Sequence, residues 1–208
     1  MKEKLEFIAV DLQNDFATKG GKWYVPRPAV DFLKQNIFPS FCANKIKVNE
    51  IISDYRQPRP GDRGDGCHPG TWGYASVVPD DLRKSLWVKC MNSPVWVRKN
   101  IGNPNATPGL PCPDPEGFKN WLEENVGQPE AVTPVLMGLT IDCCVLSTLQ
   151  EINWRGYYPL VIREAVDHVS GKAEDRDRIL ESPISQRCKL MRTGLLSSTE
   201  GSDRLDEK

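Results

Sequence analysis

The sequence predicts an α/β fold, a mostly parallel sheet with helices on both faces, and three observations carry that prediction. Short apolar runs stop abruptly at a charged residue, as strands buried on both faces read. Segments with helical spacing of apolar residues alternate with those runs. The longest Gly- and Pro-rich loops follow the charged strand ends, where a parallel sheet places its ligand crevice.

In chain order, Leu5 to Leu12 is the first strand, with Asp11 near its end. A glycine turn at Gly20 and Gly21 leads to Ala29–Cys42, whose Val30, Phe32, Leu33, Ile37 and Phe41 recur at helical spacing; Pro39 interrupts it. Val48 to Asp54 is the second strand, again ending in an acid, and Tyr55 to Gly73 is too rich in Gly and Pro for regular structure. Pro94 to Lys99 reads as the third strand, and a second Pro-rich loop precedes a helix over residues 117–126. Val132 to Leu139 is a strand, Asp142 to Trp154 a helix, Tyr158 to Arg163 a strand, Ala173 to Leu180 a helix and Cys188 to Arg192 a short last strand. Right-handed crossovers then bring every strand C-terminus to one edge, with Asp11, Asp54, Lys99 and Cys143 or Cys144 along it.

The 208 residues suit one sizeable core, read as a single domain over 1–197 with a flexible tail over 198–208. A net charge of −1 offers no excess to hold nucleic acid or an anionic membrane. Apolar runs such as Phe7 to Val10 fall far short of the roughly 18 residues that span a bilayer, and the N-terminus lacks the apolar stretch of a signal peptide. The seven Cys, without a C-x-x-C, read as reduced thiols of a cytoplasmic protein rather than a disulfide frame.

A Cys at the start of a helix gains thiolate character from the unpaired amides there, and a neighbouring ammonium lowers its pKa further; Cys144 fits that description. The turn over residues 138–144 could offer backbone N–H groups to an oxyanion. Asp11 could take the thiol proton and return it to a leaving amine. Each residue also has a plain structural reading: a Cys is commonly core, a strand-end Asp a cap, and a lone Lys a surface group. Their convergence at one edge favours chemistry. The adjacent Cys143 and Cys144 leave a redox role open.

Four stretches together resemble the isochorismatase-like cysteine hydrolases, a family that includes nicotinamidases and N-carbamoylsarcosine amidases. They are Val10-Asp11-Leu12-Gln13-Asn14-Asp15-Phe16, then Val97-Arg98-Lys99, then Gly138 to Val145, and finally Arg155-Gly156-Tyr157 with Glu164-Ala165-Val166. The resemblance spans about the whole chain. It implies a three-layer, Rossmann-like, six-stranded mostly parallel sheet, a homo-oligomer, and a triad of Asp11, Lys99 and Cys144, with Cys143 on a variable position. It also implies a cis peptide at Leu139–Thr140 and an oxyanion hole from the Thr140 and Cys144 amides. The activity implied is hydrolysis of a C–N bond in a small amide or ureide through a Cys144 thioester. The alternative is a non-catalytic small-molecule-binding or regulatory member of the same fold.

The sequence departs from nicotinamidases where they bind metal. Asp54-Tyr55-Arg56 carries Arg where the first ligand His would fall, leaving Asp54 and His68, too few for a secure site; no cofactor is expected. Arg56 could fork onto a substrate carboxylate or ureido oxygen, or pair with Asp54 or Asp62. His68, Thr71 and Trp72 belong to a loop that resembles the family's substrate-side Gly-Thr-x-Gly segment, and Trp23 is a further candidate wall. His68 serves equally as a loop hydrogen-bonder. The Asn100–Pro115 segment either covers the site or meets another subunit.

Overall fold

A computed structural model describes residues 4–182 and the backbone of residues 189–191. The expected tail over 198–208 lies outside the described residues. Strands β1 (Lys4–Val10), β2 (Val48–Ser53), β3 (Arg83–Lys89), β6 (Val132–Leu139), β7 (Leu160–Asp167) and β8 (Lys189–Met191) stand in the order β3-β2-β1-β6-β7-β8. All the pairings between neighbours are parallel. Between β3 and β6 in sequence, β4 (Trp96–Val97) and β5 (Cys112–Pro113) form a separate antiparallel ribbon.

The period-two alternation of β1 divides the core. Ile8 and Val10 face one cluster with Leu136, Phe118, Leu122, Val145 and Leu149. Phe7 and Ala9 face the opposite one with Val135, Met137, Leu33 and Phe41. Each such side chain, removed from water, contributes about 1.5–3 kcal/mol. The first face is covered by α4 (Pro115–Asn125), α5 (Cys144–Trp154) and α6 (Ala173–Leu180). Asp114 caps α4 by accepting the Gly117 amide at 2.9 Å, and Phe118, Trp121 and Leu122 form its buried stripe. In α5 the buried Val145, Thr148, Leu149 and Ile152 keep strict helical spacing.

The short α1 (Asn14–Ala17) follows β1 directly. The second face is covered by α2 (Pro28–Phe32) and α3 (Phe38–Asn44), joined by a π-helical turn over Leu33–Ile37. The expected interruption by Pro39 takes this form. Proline offers no N–H and crowds the carbonyl four residues back, so the helix widens by a residue there instead of breaking.

One assignment is corrected. The third parallel strand is Arg83–Lys89, not Pro94–Lys99. Two similar runs, Leu86-Trp87-Val88-Lys89 and Val95-Trp96-Val97-Arg98-Lys99, both read as apolar strands ending in a base. Only the first can join β2 along its length, because Pro94 lacks the N–H a parallel ladder needs and the second run is tied into the ribbon with Cys112–Pro113. Smaller differences lie at the element ends: α5 starts at Cys144 rather than Asp142, and β7 runs from Leu160 to Asp167. No helix among the described residues is long and apolar enough to cross a membrane.

Candidate active site

Asp11 leaves the end of β1 at φ 50°, and its side chain is 1% exposed. Its backbone N–H bonds Ile51 O at 2.9 Å, which fixes where the carboxylate points. Oδ1 accepts the Ser53 hydroxyl at 2.8 Å, and Oδ2 accepts Lys89 Nζ at 2.9 Å. Lys89 is wholly buried at the end of β3, where its Nζ also donates to Ser53 Oγ at 2.8 Å, Tyr55 OH at 2.9 Å and Met91 O at 3.2 Å. Burial pulls the ammonium pKa down most strongly, but Asp11, Cys144 and Tyr55 together outweigh it and the net shift is upward. Lys89 stays charged.

The sequence expectation of Lys99 as the cation is therefore corrected. Lys99 is exposed, beyond the ribbon, whereas Lys89 touches Asp11. The neighbouring Arg98 is the buried member of that pair. It donates to the Arg56 and Asp54 carbonyls and holds the loop after β2.

Cys144 opens α5 with its sulfur 3.2 Å from Tyr55 OH and 3.7 Å from Asn92 Oδ1. Burial, then the Asp11 charge, push the thiol up to about 12, against the lowering effects of Lys89 and Tyr55. The direction is opposite to the thiolate character expected from the helix start: 6% exposure removes the sulfur from water, and desolvation is the largest cause of the shift. The thiol carries its proton at neutral pH. Cys143 is half-buried next to Asp142, and its thiol is likewise raised by burial.

The peptide bond Leu139–Thr140 is cis, as the resemblance implied. Thr140 O accepts the amides of Cys143 and Val145, closing the turn that carries the sulfur. Being first in α5, the Cys144 amide has no partner within the helix. Gly138 precedes this turn at φ 126°, opposite Val10 in the register, and a Cβ there would lie 2.1 Å from Val10 O. Only glycine lets β6 approach the end of β1 this closely.

These groups open onto a cavity of about 170 Å³. Phe16 and Trp23, stacked with centroids 5.0 Å apart, form one wall; Leu139, Thr140, Cys143 and Val169 complete the apolar lining. Tyr55 meets both aromatic rings edge-on, and Arg59 lies 3.8 Å over its other face while pairing with Asp62. Asn92 and Arg27 add polar edges. Two residues of the opening motif serve the frame. Gln13 ties the ends of β1 and β2 by exchanging hydrogen bonds with the Ser53 backbone, and Asp15 receives the Cys67 amide at 2.6 Å.

Of the five residues expected to bind substrate, only Trp23 lines the cavity. Arg56 forks onto Asp54 at 2.8 and 2.7 Å and donates to the Asn100, Asn103 and Ala106 carbonyls. His68 lies 2.9 Å from Asp65, Thr71 bonds back to His68 O, and Trp72 is 53% exposed. They form an outer loop, and no residue from 100–115 lines the cavity either. Tyr55, Lys89, Asn92 and Arg59 went unassigned from sequence. The available signal was the Leu-Trp-Val-Lys run ending at Lys89, followed at once by the turn residues Asn92-Ser93-Pro94.

No family model matches the sequence, and no curated protein matches it. Solved structures do match in shape. An isochorismatase-like hydrolase from Alkaliphilus metalliredigens aligns with TM-score 0.63 and 18% identity over 93% of this chain and 94% of its own. A pyrazinamidase from Pyrococcus horikoshii, in complex with zinc, gives 0.64 and 19% over 91% and 99%. An N-carbamoylsarcosine amidase from Thermoplasma acidophilum gives 0.62 and 20% over 95% and 99%. Zinc of the kind held by the pyrazinamidase finds no fitting ligand set here. Both Asp54 oxygens are taken by Arg56, with Gly102 N–H also on Oδ2, and His68 turns to Asp65. Among the described residues no group of three or more His, Cys, Asp or Glu could hold a metal. What the chain shares with these structures, across nearly its whole length, is the fold of the isochorismatase-like hydrolases and amidases.

Proposed function

We propose that this protein is a cysteine hydrolase that cleaves a C–N bond of a small amide or ureido compound through a thioester on Cys144. The observation that carries the reading is the buried Asp11–Lys89 pair, linked through Tyr55 OH to Cys144 in the wall of a small aromatic-lined cavity. A buried ion pair and a thiol from distant parts of the chain have no packing reason to be gathered there.

In the proposed reaction, the Cys144 proton passes to Asp11 as the sulfur attacks the carbonyl carbon. Since the thiol sits near 12, this transfer belongs to the attack itself and not to a resting ion pair. The N–H groups of Thr140 and Cys144 receive the oxyanion. Asp11 then hands its proton to the departing nitrogen, the C–N bond breaks, and ammonia or an amine leaves. Water, deprotonated by Asp11, attacks the thioester; the C–S bond breaks and the sulfur recovers the proton. Lys89, donating to Asp11 Oδ2, holds the carboxylate in place through both half-reactions.

The cavity fits a compact planar substrate rather than a peptide, with the amide carbonyl toward α5 and the remainder between Trp23 and Val169. A panel of small amides and ureides, assayed for ammonia or amine release and by intact mass for an acyl adduct, tests the proposal. Turnover by the wild type and its loss in Cys144→Ala is expected. No release and no adduct with any panel member would overturn catalysis and favour the alternative of a small-molecule-binding protein; equal turnover by Cys144→Ala would remove the thioester.

A further inference from the structure

Lys89 is the cation bonded to Asp11, yet its three protons are shared among four oxygens and none reaches the sulfur. Tyr55 OH is the atom that reaches both, at 2.9 Å from Lys89 Nζ and 3.2 Å from Cys144 Sγ. The donors can be counted. The Ser53 proton is committed to Asp11 Oδ1, and Ser53 Oγ accepts from Lys89. The phenol oxygen also accepts from Lys89, so its own proton has two places to go: Asn92 Oδ1 at 3.4 Å or Cys144 Sγ at 3.2 Å. The ring cannot swing away, since Phe16 and Trp23 meet it edge-on and the Arg59 guanidinium covers a face.

We propose that Tyr55 is a further catalytic residue, which relays the charge of Lys89 to the nucleophile by accepting from Nζ and donating its phenol proton to Sγ as the thiolate forms. This rests on the proposed cysteine chemistry and adds to it the group that holds the sulfur once its proton has gone. No bond is broken by the relay. The thiol proton moves to Asp11, the phenol O–H turns from Asn92 to the sulfur, and Tyr55 keeps its proton throughout. Burial and the neighbouring thiol raise the phenol pKa, which is consistent with a donor that never ionises. The same hydrogen bond works to lower the pKa of Cys144.

The test needs no substrate. Alkylation by iodoacetamide, followed at each cysteine by peptide mass spectrometry from pH 7 to 10, reports the thiolate fraction at Cys144, with the exposed Cys42 and Cys112 as internal controls. Tyr55→Phe keeps the ring and removes the O–H. It is expected to slow alkylation of Cys144 roughly tenfold at every pH, the worth of a hydrogen bond to a charged group, while the controls stay the same. Placing 3-fluorotyrosine at position 55, a stronger donor of the same shape, is expected to speed it. A Tyr55→Phe protein with unchanged melting temperature and a Cys144 rate within twofold of the wild type would overturn the relay. If Tyr55→Phe does not fold, the fluorotyrosine protein decides alone, and a rate no faster than wild type overturns the relay. Amide turnover that persists alongside an unchanged alkylation rate removes Tyr55 only. Slowed alkylation in a protein that turns over no amide keeps the relay and removes the hydrolase.

Discussion

The neighbouring strands β1 and β2 each run into a buried aspartate, and the chain treats these two acids in opposite ways. Asp11, after β1, faces a lysine that shares its charge with three other oxygens and a thiol that can give up a proton. Asp54, after β2, is clamped by both arms of the Arg56 guanidinium and by the Gly102 amide, with no exchangeable neighbour. Burial tends to raise its pKa, but the Arg56 hydrogen bonds and charge together with the Gly102 amide prevail and hold it below the usual carboxylate range. A lysine meets only one oxygen of Asp11 and leaves the other to a hydroxyl, whereas the planar fork of Arg56 fills both oxygens of Asp54 and makes a structural clamp.

The contrast can be broken first at the lysines. Lys89→Met leaves Asp11 buried without its cation, and it is expected to lower stability by about 3–5 kcal/mol in urea unfolding and amide turnover by roughly 10²–10⁴-fold. The clamp comes next. Asp54→Asn is expected to cost about 1–3 kcal/mol and to speed proteolytic nicking between residues 100 and 109, while amide turnover stays within a few-fold of wild type. A thousandfold loss of turnover would place Asp54 in the chemistry and dissolve the distinction.

Acidity sharpens it further. A carboxylate whose pKa is depressed by folding stabilises the protein above its unfolded value, about 3.9, and that contribution fades as pH falls through the folded value. The urea midpoint is therefore expected to drop below pH 4, less steeply in Asp54→Asn. On the alkaline side, with the thiol near 12, alkylation of Cys144 is expected to climb without a plateau through pH 10. A plateau near neutrality would reveal a resting thiolate. The smallest effect belongs to Lys99→Met, which should change stability by no more than about 0.5 kcal/mol and leave turnover at the wild-type level.

Asp11 and Cys144 were readable from the sequence because one directly follows a strand and the other opens the helix after a strand, and the parallel architecture brings such ends to one edge. The lysine was not, because two runs with the same apolar-then-basic pattern compete for the third strand; what separates them is a proline and a ribbon partner fifteen or so residues onward. Tyr55 and Asn92 sit in loops, where a residue's direction depends on contacts from elsewhere in the chain, such as the hydrogen bonds joining Tyr55 to Gly66. Arg56 illustrates the reverse. Its guanidinium was offered a substrate or a neighbouring acid as partner, and proximity to Asp54, two positions away, decided the matter.

The bare Cα at position 138 has a consequence for heredity as much as for chemistry. Because it lets the strand leading to Cys144 lie against the strand leading to Asp11, even alanine there would wedge the two apart. A saturation scan scored by turnover should thus find this silent backbone position as intolerant as the sulfur itself, although it contributes no atom to any reactive group.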